Sequence, residues 1–138
     1  MVKIYSISTI RKKVREYGKK INAPNHLLSI RTSSDGFGTP YIEINEKGYN
    51  YVISERGREF ERRQTKDIDK LLYWIFNNIT FEIASEYELE HRKLNEDFRR
   101  QLFAKQHELM RQLDVKLAKW NKEELERILE NSPFDDNG

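Results

Sequence analysis

The chain has 138 residues, of which 37% are hydrophobic, 35% charged and 12% aromatic. It is long enough to bury about two-thirds of its unfolded surface and too aromatic for disorder. The net charge of +2 and the absence of cysteine exclude disulfides, thiolate metal sites and cysteine nucleophiles, and give no bulk argument for a nucleic-acid or membrane partner. No run of about 18 apolar residues occurs, and no apolar stretch follows the N-terminal charges. The chain is therefore expected to be cytoplasmic, with neither signal peptide nor membrane span.

In chain order, the first element is a helix from Ser8 to about Ile21. Ile7, Ile10, Val14, Tyr17 and Ile21 recur at spacings of three and four, with Ser8 or Thr9 as N-cap. Pro24 stops it by disfavouring helical geometry at Ala23. Three strand candidates follow: Leu27–Arg31, Tyr41–Ile44 and Tyr49–Ile53. They are separated by the turn-rich Thr32-Ser33-Ser34-Asp35-Gly36-Phe37-Gly38 and by Asn45-Glu46-Lys47-Gly48, a spacing that predicts an antiparallel meander.

The third strand runs into Glu55-Arg56-Gly57 and the charged stretch Arg58-Glu59-Phe60-Glu61-Arg62-Arg63, which together read as a strand-to-helix junction. Beyond Asp67, Ile68, Leu71, Leu72, Ile75, Ile79 and Ile83 form a helical stripe, widened by Tyr73, Trp74, Phe76 and Phe81. Such a helix, apolar on more than one side, is expected to be central. Another helix starts near His91–Asn95 and carries Leu94, Phe98, Leu102, Leu109, Leu113 and Leu117. Trp120-Asn121 is a candidate interruption before Leu125, Ile128 and Leu129. The expected architecture is α+β: an N-terminal helix, a three-stranded antiparallel meander, then two or three long packed helices. Residues 1–138 read as a single domain, with 132–138 a loose polar tail.

Charge is unevenly placed. Residues 1–26 hold Lys3, Arg11, Lys12, Lys13, Arg15, Lys19 and Lys20 against Glu16 alone, a net +6. Residues 121–138 hold Lys122 and Arg127 against Glu123, Glu124, Glu126, Glu130, Asp135 and Asp136, a net −4. The basic first helix, with the doublets Arg62-Arg63 and Arg99-Arg100, supports a nucleic-acid reading. The doublets, however, sit among Glu59, Glu61, Glu96 and Asp97, which partly neutralise them.

For chemistry the signals are sparse. His26, His91 and His107 have no metal-binding spacing, and the Glu-x-x-His repeats of a di-metal bundle are absent. Glu55 and Glu59 are close carboxylates, yet no nucleophile elbow or phosphate-cradling glycine loop accompanies them. No catalytic residue, metal or cofactor is expected. The mixed-charge sites read instead as ion-pair networks or protein-facing contacts: Arg56 with Glu55 or Glu59, and Asp97 with Arg100, in forked hydrogen bonds. Tyr73 and Trp74 flank the Leu72 stripe, so one of them is a candidate interface anchor and both are candidate core.

The order of Thr32-Ser33-Ser34-Asp35-Gly36, Pro40-Tyr41-Ile42-Glu43-Ile44, Gly48 to Gly57, Leu71-Leu72-Tyr73-Trp74-Ile75-Phe76 and Asp97-Phe98-Arg99-Arg100-Gln101-Leu102-Phe103 resembles the immunity protein 63 family of bacterial polymorphic toxin systems. That resemblance implies a small cytosolic protein that binds and blocks a cognate secreted toxin domain. The matching positions are Glu55, Arg56, Gly57, Tyr73, Trp74, Asp97 and Arg100. The resemblance does not decide whether they face the toxin or tie the fold. The reading is thus a non-enzymatic immunity protein acting by steric occlusion, with a nucleic-acid-associated or regulatory protein using Arg11, Lys12, Lys13, Arg15, Lys19 and Lys20 as the alternative. Many immunity proteins are acidic because they face basic nucleases. At +2, either the target is not strongly basic or the acidic C-terminal region makes the contact.

Overall fold

The computed structural model describes residues 2–137. In order, it contains α1 (Ile7–Lys20), β1 (Tyr41–Asn45), β2 (Gly48–Glu55), β3 (Arg58–Thr65), α2 (Ile68–Glu90), α3 (Phe98–Leu113) and α4 (Val115–Asn131). This is the expected α+β architecture of helix, three-stranded antiparallel sheet and further helices. Two compact units are distinguished: residues up to Glu16 with Pro24–Trp74, and Tyr17–Ala23 with residues from Ile75 onward.

The first unit holds the sheet, whose order is β1-β2-β3 with both pairings antiparallel. Its membership differs from the expected meander. Leu27 and Leu28 lie in a short 3-10 turn, Asn25–Leu28, and of the segment 27–31 only Arg31 bridges to Tyr41. The charged stretch after Gly57 supplies the third strand instead. β3 lacks an apolar face, and its polar side chains pair both along the strand and, through Arg62–Glu43 and Gln64–Asn50, across the sheet. Arg62 bridges Glu59 and Glu43, and Arg63 pairs with Glu61. Ion pairs and edge position replace the alternation that would have marked it.

β2 is central and buried along most of its length. Ile42, Tyr51 and Arg63 are opposite one another across the sheet, so they share a face. Trp74 of α2 meets that face, with its ring 6.3 Å from Tyr51 and the Arg63 guanidinium 6.0 Å away. On the other face Asn50, fully buried, donates to the Glu43 and Gly48 carbonyls and accepts from Gln64. Its buried amide is thus satisfied. Tyr49, Val52, Leu71, Leu72, Ile10 and Val14 are also buried in this unit. α1 begins at Ile7, and its cap is Ser6, whose hydroxyl accepts from the Thr9 amide, in place of the expected Ser8 or Thr9.

The second unit is helical. Phe76, Ile79, Leu102, Leu109, Met110, Leu113 and Leu117 are buried, and the ring of Tyr17 lies 5.7 Å from that of Phe76. Gln106 donates to the Asn77 carbonyl and to Thr80, tying α3 to α2. Three sequence expectations are corrected here. Leu94 is almost fully exposed in the loop before α3, and the helix breaks at Asp114, not at Trp120-Asn121, which lie inside α4. Asp114 has extended backbone geometry, and its carboxylate accepts from the Lys116 and Leu117 amides. One residue thus ends α3 and caps α4. Phe81, expected to widen the apolar face of α2, is half exposed.

Candidate partner-binding site

Glu55-Arg56-Gly57 closes a β-hairpin; it is not a strand-to-helix junction. Arg56 and Gly57 form a two-residue turn with φ of 52° and 78°, the pair of left-handed conformations that suits the twist of antiparallel strands. Glycine adopts this freely, whereas arginine does so only at some cost. That cost is offset by hydrogen bonding: the Arg56 amide donates to the Gly36 carbonyl and the Gly38 amide to the Ser54 carbonyl. Phe37 bridges Glu55 across the same edge. The turn cluster is itself braced, with the Ser34 hydroxyl and the Asp35 carboxylate accepting from the Gly36 and Phe37 amides. The Thr39 side chain and the Phe37 amide hold the Asp35 carboxyl below its ordinary range.

Register explains what this tip exposes. Ile53 opposes Glu61 while its neighbour Ser54 opposes Glu59, leaving Phe60 as the extra residue of a β-bulge. Bulges re-aim side chains, and Phe60 is 60% exposed, with Phe37 at 85%. The Arg58 guanidinium sits 5.7 Å from the Phe60 ring. Phe37, Glu55 and Arg58 occupy consecutive rungs, about 10 Å across at the usual strand spacing. The Arg56 side chain makes no ion pair among the described residues. Glu59 is committed to Arg62, whose guanidinium donates to both carboxylate oxygens and holds the Glu59 carboxyl below its ordinary value. The anticipated Arg56–Glu59 pair is therefore replaced by Glu59–Arg62. The tip presents two phenyl rings, two guanidiniums and one carboxylate on a braced hairpin, and such residues anchor protein interfaces. Phe37, Arg58 and Phe60 were missed in the sequence. The one available signal was a lone phenylalanine in each of two polar runs.

The other candidates are placed differently. Tyr73 is buried, with Lys70 over its ring, and Trp74 packs on the sheet as described. Asp97 caps α3 by accepting from the Arg99 amide, and its carboxylate is forked by Arg99, not Arg100. Arg100 pairs with Asp136 through both oxygens and lies 4.3 Å from the Phe134 ring. Arg99 also donates to the Ser132 and Pro133 carbonyls, while the Asp135 amide donates to Asp97. Residues 132–136 of the predicted tail are thus held in a clasp at the start of α3. Hydrogen bonds from Arg99 and from the Asp135 and Arg99 amides hold the Asp97 carboxyl far below its ordinary 3.8, and Arg100 lowers Asp136. A depressed carboxyl contributes stability above its unfolded pKa and loses it as pH falls toward the folded value. The clasp is therefore expected to hold at neutral pH and open in acid, below about pH 4. Arg99→Ala should open it at pH 7. Amide hydrogen exchange at Asp97 and Asp135 reads both effects, and unchanged protection in the variant would contradict them.

Among the described residues no group of three or more His, Asp or Glu is placed to hold a metal ion, and no helix is long and apolar enough to cross a membrane.

The family model of immunity protein 63 matches residues 45–127, a span that contains the whole β2–β3 hairpin. The chain belongs to the immunity protein 63 family. Comparisons with curated proteins and with solved structures returned no match. Membership gives this immunity protein 63 family member an immunity function in toxin systems and a toxin as its partner. The match takes in Glu55, Arg56, Gly57, Tyr73, Trp74, Asp97 and Arg100, while α1 and residues 132–136 of the clasp lie outside it.

Proposed function

We propose that this protein neutralises a cognate toxin domain in the cytoplasm of the producing bacterium by seating the β2–β3 hairpin tip on it and sterically excluding the toxin's substrate. The observation that carries this reading is the exposed pair Phe37 and Phe60. They are flanked by Arg56 and Arg58 on a tip whose backbone is held by cross-loop hydrogen bonds. Apolar rings on a preorganised support lose little entropy on binding. The buried Tyr73 and the clasped Asp97, Arg99 and Arg100 support the fold instead. The test is co-expression with the toxin domain encoded by the adjacent gene. A one-to-one complex on size exclusion and restored growth are expected, and no complex at micromolar concentrations would overturn the reading.

A further inference from the structure

From the charge on α1 we infer that its outward face is a docking surface for an acidic patch on the protein partner, a step that rests on the immunity reading above. The seven cations of residues 1–26 face one acid, Glu16. None of the seven lies within ion-pairing distance of a carboxylate among the described residues. The cations of β3 and of the start of α3 differ in this respect: Arg62, Arg63, Arg99 and Arg100 are all paired. What the cations of residues 1–26 do contact is neutral. Arg11 donates to the Ile30 carbonyl, and Lys3 and Lys13 each lie 5.1 Å from the Tyr5 ring.

Geometry gathers this charge. At 100° per residue, Lys12 and Arg15 lie about 60° apart on the side opposite buried Ile10 and Val14. Arg11 adjoins Arg15, and the two border a notch of about 460 Å³ with Asn25, Ser29 and Ile30. Two guanidiniums beside a notch of mixed polarity, which Leu28 also lines, suit forked bonds to carboxylates. A single-stranded nucleic acid would call for exposed stacking rings, but Tyr5 is covered by two lysines and Tyr17 is packed near Phe76. An acidic protein surface is the occupant the face fits. Unpaired charge of one sign acts before contact, by raising the encounter rate.

The experiment measures association and dissociation rates of the full chain with the toxin domain encoded beside its gene, across a salt series. It compares wild type, Lys12→Glu/Arg15→Glu and the neutral Lys12→Gln/Arg15→Gln. Neither side chain holds a contact on which folding depends, so melting curves should coincide. If the reversed variant does not fold, the neutral one carries the test alone. Expected is an association rate lowered about tenfold or more by reversal and less by neutralisation. Most of the salt dependence should disappear and dissociation should change little. Rates and salt slopes equal to wild type in both variants would overturn the inference while leaving the toxin complex intact. Absence of any wild-type complex would overturn the immunity reading and this inference together. Tighter binding of wild type to a random-sequence DNA duplex than to the toxin domain, lost on reversal, would overturn it in favour of a nucleic-acid surface.

Discussion

Gly48→Ala is expected to remove about 2–5 kcal/mol of folding stability, a large part of the roughly 5–15 kcal/mol typical of a native protein. Gly48 follows the β1–β2 turn at φ 104° and is buried. A Cβ there would lie 2.6 Å from the Thr65 carbonyl oxygen and 3.3 Å from the Lys66 Cα. The left-handed backbone costs an L-residue about 1–2 kcal/mol. The steric overlap adds about 1–3 kcal/mol, because its target is the main chain at the end of β3 and cannot swing aside. Gly57 provides the comparison. It also has positive φ, but its Cβ position is open, so Gly57→Ala should cost only the backbone part and Gly57→Asn less. Denaturant midpoints for the three variants check the ranking; equal losses at Gly48 and Gly57 would refute the steric argument.

Phe37→Ala with Phe60→Ala is expected to weaken toxin binding by two to three orders of magnitude while leaving the monomer's melting curve nearly unchanged. Each ring is more than half exposed, so truncation removes little from the folded monomer. In a complex, a central aromatic anchor is worth at least about 2 kcal/mol. Two neighbouring anchors combine to less or more than their sum. Calorimetric titration against the toxin domain measures the loss. Phe81→Ala is the control, since that ring is also half exposed but belongs to α2 and not to the hairpin. Wild-type affinity in the double variant would remove the tip from the interface. Because the anchors act after contact and the α1 charges before it, the tip variant should raise the dissociation rate and the α1 variant lower the association rate.

Much of the architecture could be read in the chain because its local signals agree with the packing. The three- and four-residue spacing of Ile10, Val14 and Ile21 marks the buried side of α1, and the turn residues around Asp35 and Lys47 fall where the chain reverses. β3 was hidden because strand prediction relies on apolar alternation, and this strand carries Arg62, Arg63 and their carboxylates in its place. Leu27–Arg31 misled for the opposite reason, since its aliphatic residues suit a strand but Leu27 and Leu28 fold as part of a 3-10 turn. The α3–α4 break has no glycine or proline to announce it; Asp114 makes it by geometry. At the candidate site, Glu55-Arg56-Gly57 stood out by charge, but its turn type did not, because Arg-Gly is not the usual pair for two left-handed residues. Phe60 owes its exposure to a one-residue register shift, and sequence spacing carries no record of that.

The charges of β3 also bear on how the protein behaves when crowded with its own copies. β3 pairs only with β2 within the sheet, so its far side is an unfilled ladder, the kind of border on which another chain can add a strand and seed aggregates. Arg58, Glu59, Glu61, Arg62 and Arg63 put a charge at five of its eight positions. A second copy aligning there would have to strip water from those charges or break their pairs. The strand that looked least like a strand is thereby a gatekeeper against fibril-like stacking.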